Sequence, residues 1–359
     1  MLTAVLVAAV SASAAQAQKG KGPDYGLWVL NTFFITEFQG TDLVKGGVRK
    51  PRILFGVRDL YTPVGIAWDN QQNLWLSFDD IGGEIVRLTP RQVQALSSGH
   101  GVKVQNVVLL QDSMSYYPFY DPSDIGFDKE GNLWVIDSPI SSLMEFTPDQ
   151  IATSGAPTPA VWIRAGRFIE PAKMRFDASD NLWVEWQIGQ PSGVDVDELA
   201  RFSPKDRTAS GPPNPSLILD IPLSNGLDDF AFDGQGNLWI ANASATSPFE
   251  TVELTMVPQD QIAGSGEITV SPTITIGLPE FAQGLCVDYL TLDFDPLGAL
   301  WVSGSPDVTD CNQFEQVDEF TPEQLISSGT ATSSVRLRPN RRETNFRAPH
   351  LVRVGPAIH

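Results

Sequence analysis

One stretch decides the fold, Ile125-Gly126-Phe127-Asp128-Lys129-Glu130-Gly131-Asn132-Leu133-Trp134-Val135, because the chain repeats its pattern. An alternating apolar segment ends at Asp, a polar turn follows, and Asn-Leu-Trp opens a second apolar segment. This order predicts two antiparallel strands joined by a tight turn. Five copies are marked by tryptophans that lie 49 to 62 residues apart: Trp75, Trp134, Trp183, Trp239 and Trp301. Periods of this size are typical of solenoids and propellers.

The residues between the copies supply a third and a fourth strand per repeat, which favours the propeller. After the first copy these strands are Glu84 to Leu88 and Val102 to Leu110. Four antiparallel strands are too small a unit to be stable alone and are typical of one propeller blade. We interpret the repeated tryptophans as core residues between blades, since large aromatic side chains dominate burial.

The two ends of the chain complete a sixth blade. Gly26-Leu27-Trp28-Val29 matches the second strand of a repeat that has no first strand, and Pro349 to Val354 matches a first strand with nothing after it. Pairing these segments closes the ring and removes two open strand edges. The predicted fold class is therefore all-β: one six-bladed β-propeller of four-stranded antiparallel blades over residues 18–359, closed by its N- and C-terminal segments.

Short helices are predicted between the third and fourth strands, on the outer side of the blades. A Thr-Pro-x-Gln phrase recurs there and has the form of a capping box, with Thr as the N-cap and Pro in the first turn. It occurs at Thr89, Thr147 and Thr321, whereas Val257-Pro258 keeps only the proline. We assign these helices a structural role.

Composition excludes several function classes. The chain has 359 residues, of which 42% are apolar, so it can bury a large core and is not a disordered polymer. Lys and Arg number 24 against 43 Asp and Glu, a net charge of -19, which argues against a nucleic-acid or anionic-membrane surface. No segment outside the N-terminus approaches the length of a membrane span. No phosphate-loop, nucleophile-elbow or zincin motif occurs, so we expect no nucleotide cofactor.

Residues 1–17 are predicted to be a signal peptide. The apolar stretch Leu2 to Val10 leads to Ala15-Gln16-Ala17, a typical cleavage pattern, although no basic residue precedes Lys19. The alternatives are a short buried strand or helix, or a misassigned start upstream of the real signal. The sequence thus predicts a secreted or periplasmic protein.

The Asp-x-x-Gly-Asn-Leu-Trp-Val phrase resembles NHL-type repeats and the regucalcin/gluconolactonase (SGL) propellers. The resemblance covers nearly the whole chain beyond the signal peptide and marks the superfamily, with no single activity. It implies a six-bladed propeller whose site lies at the mouth of the central channel. The loops that lead into first strands and leave second strands, here called the mouth loops, meet on that face.

The resemblance also implies a divalent cation, such as calcium, held by Glu, Asn and Asp residues of the mouth loops. Asn225, in Ser224-Asn225-Gly226-Leu227, matches the asparagine, whereas the position of the glutamate carries no carboxylate. The position of the aspartate carries Leu290, with Asp288 two residues earlier. The metal ligands predicted are Asn225, Asp228 and Asp288; an ordinary Asn-Gly turn is the alternative for Asn225.

Six charged residues recur two and four positions before the repeat Asp or its equivalent: Asp124, Lys173, Arg175, Asp229, Asp293 and Arg353. Their neighbours in the same strands are mostly large and apolar, so one face of each inner strand belongs to the core. The charged set is predicted either to form a ring of ion pairs around the bore or to bind a ligand, with the three basic residues as anchors for an anion.

His350 is the single histidine predicted at the channel mouth. Similar propellers, the streptogramin lyases, use a channel histidine with a nearby glutamate, although their local phrase is absent here. His350 and Asp228 are the candidate catalytic residues, and a solvated loop histidine is the alternative.

Cys286 and Cys311 fall in mouth loops of one blade and are predicted to form a disulfide in an exported protein, the alternative being two reduced thiols.

Two function classes remain open. One is a monomeric binding module that presents its acidic mouth to a small molecule, a cation or a protein. The other is a metal-dependent lactonase, esterase or lyase.

Overall fold

The computed structural model describes residues 25–31, 34–49, 53–56, 62–79, 83–97, 108–111, 120–164, 168–189, 195–223, 227–243, 252–279, 287–306, 317–339 and 349–357. These residues form six mostly antiparallel sheets, arranged as the blades of a six-bladed β-propeller. The predicted fold class is confirmed.

Each blade is numbered in chain order, and its strands are given from the bore outward. Blade 1 contains Thr62–Trp68, Leu74–Asp79, Glu84–Leu88 and Val108–Gln111. Blade 2 contains Pro122–Phe127, Leu133–Asp137, Ser142–Phe146 and Val161–Arg164. Blade 3 contains Phe168–Ile169 with Met174–Phe176, then Leu182–Gly189, Asp195–Phe202 and Leu217–Asp220.

The remaining blades follow the same order. Blade 4 contains Asp229–Phe232, Leu238–Ala243, Val252–Val257 and Ile274–Gly277. Blade 5 contains Val287–Phe294, Leu300–Pro306, Val317–Phe320 and Val335–Pro339. Blade 6 contains Pro349–Pro356, Tyr25–Asn31, Phe34–Gln39 and Ile53–Gly56.

Blade 6 closes the ring as predicted, with the C-terminal strand innermost. Trp28 lies opposite Arg353, and Val29 lies opposite Val352, in an antiparallel register. Each end of the chain therefore supplies the hydrogen-bonding partner that the other lacks.

A parallel pairing between neighbouring blades was not predicted. The outer strands of blades 3, 4 and 5 each pair in parallel with a short strand from the following blade, and these strands are Gly266–Thr269, Gly329–Thr330 and Gly47–Arg49. Single bridges from Leu110 to Gly155 and from Ile163 to Gly211 extend the pattern to blades 1 and 2. Blades 3, 4 and 5 are therefore larger than the four strands expected, and the outer edges of adjacent blades are joined.

Short helices lie between the third and outer strands, as predicted, and most of those described are a single turn. Pro90–Ser97 and Thr41–Lys45 are α-helices. The other helices described are single turns of 3-10 helix: Pro204–Arg207, Gln259–Gln261 and Pro322–Leu325. The segment at Thr147 forms only a turn. The capping contact is nevertheless made, since the backbone N–H of Thr147 donates to Oε1 of Gln150 at 2.8 Å. Among the described residues, no helix is long and apolar enough to cross a membrane.

The repeat Asp organises the turn between the first two strands of a blade. In blade 3 the Asp177 carboxylate accepts the backbone N–H of Ser179 and Asn181, and its other oxygen accepts the indole N–H of Trp183 at 2.9 Å. All five copies make the Asp-to-Trp bond, at 2.9 to 3.3 Å. The residue before the Asn has a positive φ, which explains why three copies carry glycine there.

The buried tryptophans pack between blades, as predicted. Trp75 of blade 1 meets Phe127 of blade 2 edge to face, with ring centroids 5.6 Å apart. Six hydrophobic clusters of buried side chains occupy the six junctions between consecutive blades. The core is thus a ring of interfaces around a polar centre.

Candidate functional site

The centre of the propeller holds five of the predicted charged residues, here called the bore cluster: Asp124, Arg175, Asp229, Asp293 and Arg353. Its three aspartates share one role. Each accepts the N–H of the residue that follows it and a second N–H from the inner strand of the next blade. The second bonds are from Met174 to Asp124 at 2.9 Å, from Leu292 to Asp229 at 3.1 Å, and from Val354 to Asp293 at 2.7 Å.

These hydrogen bonds provide partners for backbone N–H groups on the bore side of the inner strands. The inner strand of a blade has no neighbouring strand on its bore side, and an unpaired N–H group buried there would destabilise the protein. A carboxylate has enough lone pairs to accept two such groups and an arginine as well. Gly65 and Lys173 lie four residues before the repeat Asp of their blades and have no acceptor in their side chains. The corresponding N–H group of the next blade, that of Ile125 or Phe230, therefore bonds to the Asp124 or Asp229 side chain of its own blade.

The two arginines form ion pairs with two of the three aspartates. Arg175 lies 3.3 Å from Asp124 and 2.6 Å from Asp229, and Arg353 lies 3.2 Å from Asp229. Burial alone raises the pKa of the Asp229 carboxyl, but Arg175 and Arg353 outweigh it and lower that pKa overall. For Asp293 burial dominates and raises the pKa, because Arg353 offsets it only in part.

The bore cluster therefore matches the ion-pair interpretation in its geometry. Lys173 is half-buried and lies near enough to Asp229 to contribute to lowering the pKa of that carboxyl. The assignment of these six residues to ligand binding stays a prediction.

The mouth loops hold carboxylates that also serve the backbone. Asp228, directly before the first strand of blade 4, accepts the N–H of Leu290 in the first strand of blade 5 at 3.2 Å. Asp137 is fully buried and accepts the N–H groups of Tyr120 and Asp121, which fixes these two residues directly before the first strand of blade 2. Burial raises the pKa of Asp137, although these N–H groups act against the rise.

A pocket of about 370 Å³ lies at the mouth over blades 1 to 3 and is here called the mouth pocket. Its described lining is Val64, Asp121, Ser123, Ser138, Pro139 and Glu170. Asp121, Ser123 and Glu170 precede or open first strands of blades 2 and 3, where the sequence predicts mouth loops, whereas no sequence pattern pointed to Val64, Ser138 or Pro139. The signal available for Ser138 was its place directly after the second strand of blade 2.

Two strained residues stand beside this pocket. Glu170 and Ser141 have φ values of 47° and 46°, although neither is glycine, and the backbone N–H of Glu170 donates to Oγ of Ser141 at 3.4 Å. The other two positive-φ residues among those described that are not glycine, Gln72 and Asp180, belong to the repeat turn. Strain outside the repeat is thus concentrated at the mouth pocket.

Several predicted residues cannot be placed. Asn225, Cys286 and Cys311 lie outside the described residues, as do the side chains of Asp288 and His350. The disulfide, the catalytic role of His350 and the metal assignment stay predictions. Within the described part of the chain, no three His, Cys, Asp or Glu side chains are grouped to hold a metal ion, and Asp228 is the one predicted ligand with a described side chain.

Solved structures share this architecture. A protein of unknown function from Bacteroides caccae is 10% identical with a TM-score of 0.56, over 93% of this chain and 99% of that one. The luciferin-regenerating enzyme is 14% identical with a TM-score of 0.49, over 77% and 76%. A gluconolactonase from Xanthomonas campestris is 16% identical with a TM-score of 0.42, over 80% and 90%. No protein-family model and no curated protein sequence matches the chain.

Likeness at these identities shows the fold alone. The chain is a six-bladed β-propeller, as the repeated phrase predicted.

Proposed function

We propose that the protein is a binding module that takes a small ligand in the mouth pocket. The observation that carries this proposal is the pairing of the pocket with backbone strain at Glu170 and Ser141. Strained residues that are not glycine cost about 1 to 3 kcal/mol each and cluster at ligand sites. The pocket volume lies within the range of small-molecule sites.

The rest of the mouth supports binding in preference to catalysis. Asp124, Asp229 and Asp228 each accept a backbone N–H from the next blade. A carboxylate held in this way keeps a fixed position and already has lone pairs occupied by backbone N–H groups, so it is poorly placed to accept a proton from a substrate. The hydroxyls of Ser123 and Ser138 contact one another at 2.7 Å, with no histidine among the described lining residues.

The binding proposal is tested by nuclear magnetic resonance on the isotope-labelled full chain, titrated with a library of small molecules. A ligand of the mouth pocket shifts the amide resonances of Val64, Ser123 and Glu170. Pro139→Trp fills the pocket from an exposed position and abolishes these shifts, whereas Pro148→Trp, at an exposed proline of a Thr-Pro phrase, leaves them unchanged. The proposal is wrong if no compound shifts these amides.

We also propose that the protein is exported and loses residues 1–17. The support is the apolar stretch from Leu2 to Val10 followed by Ala15-Gln16-Ala17. Mass spectrometry of protein recovered from the periplasm or the medium should give a chain that begins at Gln18. A recovered chain that still begins at Met1 would contradict this.

A further inference from the structure

We infer that, before residues 1–17 are removed, the apolar stretch Leu2 to Val10 folds back onto an apolar surface of blades 5 and 6. This surface lies on the face opposite the mouth, where the turns between first and second strands lie, here called the turn face. The inference does not depend on the ligand proposed for the mouth pocket, and it concerns the chain before the proposed cleavage.

Among the described residues, large apolar side chains are exposed on the turn face at these two blades alone. Leu297, in the repeat turn of blade 5, is 61% exposed, and Ile326, which follows the helical turn Pro322–Leu325 of the same blade, is 74% exposed. Val44, in the short helix of blade 6, is 62% exposed. The other exposed large apolar side chain described, Tyr120, belongs to the mouth.

The other blades show that the fold does not require apolar residues at these positions. Ile326 and Val44 each follow a buried leucine of their connection, and the residue that follows the buried one in blades 1 to 4 is polar or small: Gln94, Ala152, Thr208 and Ala263. The position of Leu297 in the repeat turn is polar in blades 1 to 4: Gln71, Glu130, Ser179 and Gln235. Single apolar residues are common on protein surfaces, but three departures from the repeat in two adjacent blades favour a surface that another segment covers.

The elements that carry these three residues pack side by side. In the repeat turn of blade 5, a Cβ atom at Gly298 would lie 3.6 Å from Pro322, so this turn contacts the helical turn of the same blade. The helix of Val44 ends at Gly46, where a Cβ atom would lie 3.1 Å from Val335 in the outer strand of blade 5. The surface is therefore shared by two neighbouring blades.

The N-terminal part of the chain enters blade 6 at this surface. Tyr25, the first residue described, donates its hydroxyl hydrogen to Asp295, which lies two residues before Leu297 in the repeat turn of blade 5. The chain from Val10 to Tyr25 extends to about 50 Å at most, so the apolar stretch can return across two adjacent blades.

The composition of the N-terminal segment also fits this surface. Residues 1–23 contain Lys19 and Lys21 and no Asp or Glu, whereas the whole chain has a net charge of -19. Burial of the apolar stretch against the three exposed side chains removes hydrocarbon surface from water on both sides. A second copy would instead bring two strongly acidic proteins together, and an anionic membrane would repel this one. The charges thus favour the chain's own segment as the occupant.

The first test uses nuclear magnetic resonance on the isotope-labelled full chain with residues 1–17 retained. Leu6→Asp places a charge in the apolar stretch, and we expect it to release the stretch and shift the amide resonances of Val44, Leu297 and Ile326. Ser13→Asp adds the same charge outside the stretch and should leave these resonances unchanged. Unchanged resonances in Leu6→Asp, or equal shifts in both variants, would overturn the inference.

The second test detects the contact directly, through nuclear Overhauser effects between methyl groups of residues 2–10 and those of Ile326. We expect these effects in wild type and their loss in Leu297→Gln, which introduces the residue type that blade 1 carries at this position and so keeps the fold. Glu130→Gln makes the matching change in blade 2 and should leave the effects intact.

Absence of these effects in wild type would overturn the inference. Effects that weaken on dilution would assign the surface to a second copy, and shifts of the same amides on addition of phosphatidylcholine vesicles would assign it to a lipid surface; either result would also overturn the inference. Cleavage before Gln18 is measured separately by mass spectrometry, so each of these failures leaves the export proposal and the binding proposal standing.

Discussion

The carboxylate of Asp229 in blade 4 accepts the backbone N–H of Leu292 in blade 5 at 3.1 Å. The same carboxylate pairs with Arg175 of blade 3 at 2.6 Å and with Arg353 of blade 6 at 3.2 Å. One fully buried side chain therefore joins four of the six blades. Its position in the bore makes it a structural centre of the ring.

Asp229→Ala should strongly destabilise the protein, because it removes the carboxylate between Arg175 and Arg353 and frees the two N–H groups of Phe230 and Leu292. Removing one member of a buried ion pair costs about 3 to 5 kcal/mol, measurable as a lower free energy of unfolding in urea. Asp149→Ala, at an exposed position, is the control and should stay within about 0.5 kcal/mol of wild type. A small effect at Asp229 would refute this structural role.

The same carboxylate predicts an acid limit to stability. Because the pKa of Asp229 is lowered in the folded protein, its contribution is complete above the ordinary value for Asp, about 3.9, and is lost as the pH falls through the lowered value. The stability difference between wild type and Asp229→Ala should therefore be constant from neutral pH down to about pH 4 and shrink below it.

The sequence predicted the blades because each has its own local signal. The Asp, the Asn and the Trp of one copy lie within seven residues, and the bonds that join them are made inside that turn. The closure of the ring was equally predictable from the sequence. The N-terminal segment matches a second strand that lacks a first strand, and the C-terminal segment matches a first strand that lacks a second. The parallel strands at the outer edge were not predicted, because segments of two to four residues such as Gly329–Thr330 have no periodicity to detect.

The functional site was less predictable, for a related reason. The alternation of the inner strands placed Asp124, Asp229 and Asp293 at the bore, but their partners are N–H groups that no sequence pattern displays. Arg207 was missed altogether. It is buried between Trp134 and Phe176 and pairs with Asp128 at 2.8 Å and with Asp180, yet it lies 79 residues from Asp128 and 27 from Asp180.

Tyr25→Phe should weaken the closure between blades 5 and 6. In the fifth copy Ala299 replaces the usual Asn, and the Tyr25 hydroxyl of blade 6 donates to Asp295 in its place. Burial, followed by the bond to Asp295, raises the pKa of the Tyr25 hydroxyl. We expect a loss of about 1.5 to 3 kcal/mol in the free energy of unfolding, the range for a hydrogen bond to a charged group.

Ser179→Ala, which removes a hydroxyl from an exposed position in the repeat turn of blade 3, serves as the control. It should change the unfolding free energy by less than about 0.5 kcal/mol. Equal stabilities of Tyr25→Phe and wild type would mean that the hydroxyl does not take the place of the missing asparagine.

Glu145→Gln should change how stability depends on pH. Burial raises the pKa of the Glu145 carboxyl, and the nearby charge of Asp128 raises it further, while Arg207 lowers it. A raised carboxyl pKa means that the folded protein holds a proton that the unfolded chain has released, so wild-type stability falls as pH rises between the two pKa values.

The variant cannot titrate at this position and should gain stability relative to wild type as the pH is raised from 4 to 7. Urea unfolding at several pH values measures the difference. Glu267→Gln makes the same change at an exposed strand position and is the control. A parallel pair of curves for Glu145→Gln and wild type would contradict the prediction.

Asp228 separates the structural and the metal interpretations of the mouth. Its carboxylate accepts the N–H of Leu290, which an asparagine oxygen can also do. Asp228→Asn should therefore keep the stability of wild type without added metal, whereas Asp228→Ala should lose about 1 kcal/mol with the hydrogen bond.

If Asn225, Asp228 and Asp288 hold a divalent cation, Asp228→Asn should also bind calcium about tenfold more weakly, since it removes a charged ligand. Calorimetric titration of calcium into chelator-treated protein measures this, and equal affinities would exclude Asp228 as a ligand. A lactone and ester screen on the same samples, with and without chelator, then tests the enzymatic alternative, because turnover that needs the metal should fall in step with its binding.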